Sequence, residues 1–277
     1  MSLNNNRLSF VVRHRSRSGA FVCGTFVSAA LAVVLALVVA CGSKKNDQPA
    51  KMELPQIVLT DTTSLVQYEA YTLMYNHERL NPQWVAWELT ADETEGEVQR
   101  SSKFRVDTSL HFLQADNDDY RNSGWDRGHM APAADMKWSE TAMRESFYYV
   151  NACPQNHNLN GGVWKSLEEK CRALANTYGK LWITCGPLYY DGKYGSIGPH
   201  CVSVPDAFFK VLLIHTCSGY HGIGFIFDNC AGKKPLEYYV WTIDEVEDIT
   251  GFNFFCSLSP EEEQCAESTV DLNLWLL

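Results

Sequence analysis

Asp126-Arg127-Gly128-His129-Met130-Ala131-Pro132 decides how this chain is read, together with Asn151-Ala152-Cys153-Pro154-Gln155, Asn160-Gly161-Gly162-Val163-Trp164, Leu167-Glu168 and Arg172. A histidine can take a proton from water near neutral pH, because its ordinary pKa is about 6.5. An asparagine carbonyl is a hard oxygen suited to Mg²⁺, which keeps most of its waters and needs only one or two protein ligands. Arginines grip phosphate through a rigid fork. A base, a hard-metal ligand and a phosphate clamp are the parts that hydrolyse a phosphodiester. Taken singly, each residue has an ordinary structural explanation. Residues 126–129 make a polar turn, Glu168 and Arg172 a surface ion pair worth roughly 0.2–0.5 kcal/mol, and Trp164 a core position. Their combination and order favour the chemical reading.

Residues 160–178 have the pattern of a helix. Val163, Leu167, Leu174 and Tyr178 recur at helical spacing as a core stripe, and Asn160, Trp164, Glu168 and Arg172 follow one another every four residues beside it. The pattern puts Asn160 at the helix start, where an anion is favoured, and lets Arg172 reach a phosphate or pair with Glu168. Residues 139–147 read as a second helix, opened by a Ser139 cap with Glu140 in its first turn. Apolar, β-branched runs at 180–184, 208–214 and 222–227 read as strands. Strands and helices mix without regular alternation, so the class is α+β.

The same residues resemble the DNA/RNA non-specific endonucleases, and the likeness covers nearly the whole chain beyond its first residues. It runs from Asp126 through Pro132, on through Asn151 to Gln155, and then from Asn160 through Glu168. Asn81-Pro82-Gln83-Trp84-Val85-Ala86-Trp87-Glu88-Leu89 is similar to the family's first strand, and Arg100 before Phe104-Arg105 to its upstream arginine. Val204-Pro205 with Phe208-Phe209-Lys210-Val211 resembles its late hairpin, and Thr250-Gly251-Phe252 its C-terminal helix and exit. The resemblance implies a ββα-metal fold, with a mixed, mainly antiparallel central sheet flanked by helices. His129 would be the general base and Asn160 the protein ligand of Mg²⁺, with Mn²⁺ as the alternative. Glu168 would hold a water of the metal's shell. Arg100, Arg127 and Asn151 would orient the phosphate and the developing charge. DNA and RNA would both be cut, leaving 5′-phosphate ends, with slight sequence preference because the grip is on phosphate and sugar. Val150 stands where many members have serine, and Cys153 and Cys171 sit at non-cysteine positions. His129 and Asn160 are 31 positions apart, so the metal finger carries a long insertion.

The N-terminal part reads as an address. Arg7, Arg13, Arg15 and Arg17 precede an apolar run at 21–40, and Val38-Val39-Ala40-Cys41 resembles a bacterial lipoprotein cleavage box. The expected organisation is a signal peptide at 1–40, a lipid-anchored tether at 41–55 and one nuclease domain at 56–277, held at the bacterial envelope through lipidated Cys41. An uncleaved membrane anchor is the alternative, since the run is just long enough to span.

The net charge of −10 becomes −14 once residues 1–40, with four arginines and no acid, are removed. That is unusual for a nucleic-acid binder. The acids concentrate at 92–97, 237–248 and 261–267, leaving Arg100, Arg105, Arg121, Arg127, Lys165 and Arg172 to form a positive groove. Binding is expected to be weak and salt-sensitive.

Beyond Cys23 and Cys41, eight cysteines remain: Cys153, Cys171, Cys185, Cys201, Cys217, Cys230, Cys256 and Cys265. An even count in an exported domain points to disulfides, up to four of them. Cys256 with Cys265 is the local candidate, and Cys153 or Cys171 would brace the metal helix. A zinc site from His200, Cys201, His215, Cys217 and His221 is a rival use of some of these residues, though its spacing fits no common finger. Two other functions compete with the nuclease: a non-catalytic nucleic-acid-binding lipoprotein, and a phosphodiesterase for another substrate. The intact trio of His129, Asn160 and Glu168 argues against the first of these.

Overall fold

The computed structural model describes residues 51–277. The expected signal segment, Cys41 and the tether as far as residue 50 lie outside the described residues. In chain order the strands are β1 (Thr63–Gln67), β2 (Thr72–Asn76), β3 (Asn81–Thr90), β4 (Asp126–His129), β5 (Ala152–Gln155) and β6 (Lys180–Leu188). There follow β7 (Ser196–Ile197), β8 (Val202–Ser203), β9 (Ala207–Thr216), β10 (Gly219–Asp228) and β11 (Val240–Trp241). The longer helices are α1 (Glu140–Ser146), α2 (Lys165–Tyr178), α3 (Ile243–Thr250) and α4 (Pro260–Glu267).

The central sheet runs β1-β2-β3-β6-β9-β10-β11, and every neighbouring pair is antiparallel. The α+β expectation stands, but the sheet is not mixed: among the described residues, parallel pairing outside the strands is the isolated bridge of Arg105 with Tyr148. The strand at Asn81 is third in the sheet, not first, because β1 and β2 form a hairpin ahead of it.

β9 is buried from Ala207 to Ile214. A strand covered on both faces reads as a continuous apolar run, and this one does so apart from Lys210. Successive side chains point to opposite faces. Phe208, Leu212 and Ile214 share a core with Leu167, Cys171 and Leu174 of α2. Phe209, Val211 and Leu213 share another with Ile243 and Val246 of α3, and with Phe254 and Phe255. Burying a side chain of this size contributes about 1.5–3 kcal/mol. The sheet therefore divides two cores, and α2 lies on one side of it with α3 and α4 on the other. α3 approaches β10 so closely that a Cβ at Gly222 or Gly224 would run into Ile243 or Val246.

The folded domain begins earlier than residue 56. Met52 and Leu54 pack against the second core. The Thr184 hydroxyl donates to the Glu53 carbonyl at 2.6 Å, and the Gln56 amide to that of Asn253 at 2.8 Å. Residues 52–55 are thus part of the domain and not of a tether.

All eight cysteines of the described span are free thiols, so the expected disulfides, Cys256–Cys265 included, are not formed. Cys153, Cys171 and Cys185 act instead as small apolar core residues. Burial pushes the thiols of Cys171 and Cys185 up to about 12, which makes them inert. The zinc alternative does not assemble either. His200 Nδ1 bonds Asp119 at 3.0 Å, His221 bonds the Ser218 and Thr216 hydroxyls, and His215 lies on Tyr220. Among the described residues no helix is long and apolar enough to cross a membrane.

Candidate active site

β4 and β5 form a two-stranded ribbon in which Asp126 faces Gln155 and His129 faces Ala152. Gly128 is there for space: a Cβ would collide with the buried Gln155 side chain. The insertion between the strands holds α1, whose Ser139 cap accepts from the Ala142 amide at 3.3 Å, as its sequence promised.

Asn151 ties that insertion to the strand end. Its Oδ1 accepts from the Ala131 amide, and its Nδ2 donates to the carbonyls of Ala131 and Ser146, each at 2.9 Å. The residue is fully buried, so every group of its amide already serves backbone. Asn151 thus orients the chain just after His129 and does not present itself to a phosphate. This corrects the expected phosphate contact.

His129 is 8 % exposed and stands between Phe104 and Phe147, with ring centroids at 4.6 and 4.7 Å. Burial, with the Arg100 cation adding to it, pushes the imidazole down to about 3, so it is neutral at pH 7. Its Nε2 is buried and has no hydrogen-bond partner among the described residues. A neutral imidazole is the form that a proton acceptor requires. Phe104 and Phe147 also wall a cleft of about 480 Å³, whose lining includes Arg100, Asp126, Arg127 and Asn160.

Asn160 does not begin a helix. A single turn at His157–Leu159, capped by Asn156, passes through a widened turn at Asn160–Trp164 into α2. Gly162 breaks the helical backbone there, with φ −108° and ψ −118°. The helix-end contribution to anion binding expected at Asn160 is therefore missing. In its place, Asn160 Nδ2 donates to Asp126 Oδ2 at 2.8 Å, and the same oxygen engages His157 Nδ1 at 3.0 Å. Asp126 thus holds one end of the amide and leaves Oδ1 without a protein partner among the described residues. An oriented carbonyl oxygen at the cleft fits a hard divalent cation.

The core stripe of α2 is as expected, and Trp164 is buried in it. The polar face pairs differently. Arg172 bonds Asp135 at 2.8 Å and not Glu168 or an open phosphate site. Asp135 is 1 % exposed and also accepts from Trp87 Nε1 at 3.2 Å. Glu168 is half-buried, and no protein group hydrogen-bonds its carboxylate among the described residues. Burial pushes it up to about 7. Lys210, Arg172 and Arg100 oppose that rise and Asp135 adds to it.

The expected basic groove shrinks to two residues. Arg121 is paired with Asp118, Lys165 with Glu169 and Arg172 with Asp135. Arg105 lines a neighbouring cleft beside Glu97 and Glu140. Arg100 is exposed over the Phe147 ring at 5.2 Å. Arg127 lies over Tyr120 at 5.3 Å and donates to Asn117 Oδ1 at 2.9 Å, with its Nε buried and unpartnered among the described residues.

Residues 49–261 match the DNA/RNA non-specific endonuclease family. The chain belongs to it. It is 35 % identical to bovine mitochondrial endonuclease G over 216 residues, covering 73 % of this chain and 72 % of that one. It is 30 % identical over 278 residues to a nuclease of Nostoc sp., covering 90 % and 99 % respectively. The EndoG/EndoGI complex, a crystal structure addressing EndoG inhibition, superposes with a TM-score of 0.67 at 31 % identity, covering 72 % of this chain and 88 % of that one. This non-specific endonuclease is thus a hydrolase of phosphodiester bonds with the family's ββα-metal architecture.

Three charged residues beside the site make contacts that the sequence did not foretell. Asp126 anchors Asn160, and Asp135 engages Arg172. Lys210, fully buried in β9, has its Nζ 4.3 Å from the Trp164 ring centroid and 5.3 Å from that of Trp87, with no hydrogen-bond partner among the described residues. Lys210 was legible as the one charge in an apolar run. The partners of Asp126 and Asp135 lie more than 30 residues away in the chain and left no local signal.

Proposed function

We propose that this endonuclease cuts both DNA and RNA without regard to sugar, leaving 5′-phosphate ends, with His129 as general base and Asn160 as the protein's metal ligand. The observation that carries the reading is His129: neutral, and wedged between two aromatic walls of the cleft. His129 takes the proton of the attacking water. Arg100 and Arg127 bind the phosphate oxygens and offset charge as it builds on them. Phe104 and Phe147 exclude bulk water from the base. Glu168, with a free carboxylate, accepts hydrogen bonds from water at the site, and Asn151 keeps the strand end in register. Mg²⁺ or Mn²⁺ held by Asn160 Oδ1 would supply the positive charge that activates the phosphoryl group.

Supercoiled plasmid and total RNA, digested by the purified domain, test the proposal. Loss of both substrates with Mg²⁺, abolished by chelator and by His129→Ala, is expected. The DNA ends should be rejoined by a ligase without prior kinase treatment. A wild type that cuts neither substrate would overturn the assignment.

We infer further, from sequence alone, that residues 1–40 export the enzyme and that lipidated Cys41 holds it at the bacterial envelope. An acyl-chain label should appear on the wild type and be absent from Cys41→Ser; equal labelling would rule this out.

A further inference from the structure

On the face of the sheet turned away from α2, α3 and α4 pack on β10, and three carboxylates meet between them. Asp244 and Glu247 lie on α3 at i and i+3, and Glu267 is the last residue of α4. One oxygen of each lies within 4.8 Å of the others. Two oxygens bound to one Ca²⁺ at 2.3–2.6 Å stand at most about 5 Å apart, so this spacing admits a shared ion.

Glu267 sets the cluster apart from an acidic surface patch. It is 3 % exposed, and its Oε1 is buried with no hydrogen-bond partner among the described residues. A buried carboxylate oxygen without a donor is costly and calls for a cation or a proton. Glu247 is fixed beside it, accepting the Phe254 amide through Oε1 at 2.7 Å. The further charged neighbours acting on the three carboxylates are Glu245, Asp248 and Glu263, all of them acids. From Pro235 to Leu277 the chain contains no lysine, arginine or histidine. The other acidic group, Asp116 and Asp119 with His200, differs on this point. There Asp119 already accepts from the His200 amide and ring and from the Asp116 amide.

We propose that Asp244, Glu247 and Glu267 form a Ca²⁺ site that joins α3 to α4 across the sheet from the cleft, structural in role and independent of the metal at Asn160. An all-carboxylate set favours a hard cation, with water filling the positions the protein leaves open.

Thermal melts of chelator-stripped protein, with and without CaCl₂, test this. At a Ca²⁺ concentration a hundred times Kd, the melting temperature should rise by about 5–10 °C. The rise should be the same in Asn160→Ala and should vanish in Glu267→Gln and in Asp244→Asn. The Asp244 variant removes the more exposed ligand and keeps the test valid if the Glu267 variant misfolds. Cleavage in Mg²⁺ well below the melting temperature should be unchanged in both. Failure of Ca²⁺ to stabilise the wild type, a rise surviving in both carboxylate variants, or a rise lost in Asn160→Ala would each overturn the proposal.

Discussion

Two asparagines that look alike in the sequence do opposite work. Among the described residues Asn160 is held by its nitrogen and free at its oxygen, whereas the side-chain amide of Asn151 is engaged at both ends by backbone. Their variants should fail differently. Asn151→Ala leaves the buried Ala131 amide and two carbonyls without partners and should destabilise the domain by about 2–4 kcal/mol, measured by denaturant unfolding. His129→Ala should lower kcat by roughly 10²–10⁴-fold, with DNA affinity in chelator unchanged. A large loss of affinity in that variant would make His129 a binding residue and not the base.

At the scale of elements, β9 and α2 together set the electrostatics behind the cleft. The Lys210 cation holds Glu168 below the value that burial alone would impose. Ionised Glu168 is the form that accepts hydrogen bonds from water, so activity should rise as pH climbs through about 7. Lys210→Met should move that limb to higher pH, and kcat measured across pH checks it. α3 and α4 carry a second titration. Burial, with nearby acids adding to it, pushes Glu267 up to about 9 and Glu247 up to about 7, from an ordinary 4.5. Over that interval the folded state keeps protons that the unfolded chain releases, so stability should fall as pH rises from about 4.5 to about 9. Melts in chelator should show this fall, and Glu267→Gln should flatten it. Much at this scale was legible in the sequence. The apolar runs became β6, β9 and β10, Ser139 capped α1, and α2 ended at Tyr178 before Gly179 at φ 82°. Those features rest on neighbours in sequence. The kink at Gly162, the pairing of Arg172 with Asp135 and the saturation of Asn151 depend on contacts between distant segments, which periodicity does not encode.

For the whole molecule, the acidic balance and the small basic patch act together. Only Arg100 and Arg127 of the expected cationic cluster line the cleft, and the chain as a whole carries a net charge of −10. Two phosphate contacts should lose roughly tenfold in affinity between 50 and 200 mM salt, measured by a titration of labelled DNA in chelator. A much steeper dependence would mean that further cations join the interface.

Adjacent residues of β9, Phe209 and Lys210, face opposite cores. One strand therefore serves two walls, and neighbouring codons answer to different demands. The half behind Phe209 is open to repacking by an engineer seeking heat tolerance, while the half at Lys210 holds the chemistry still. Mutational drift along this gene should show the same seam: permissive on one side of the sheet, unforgiving one residue away on the other.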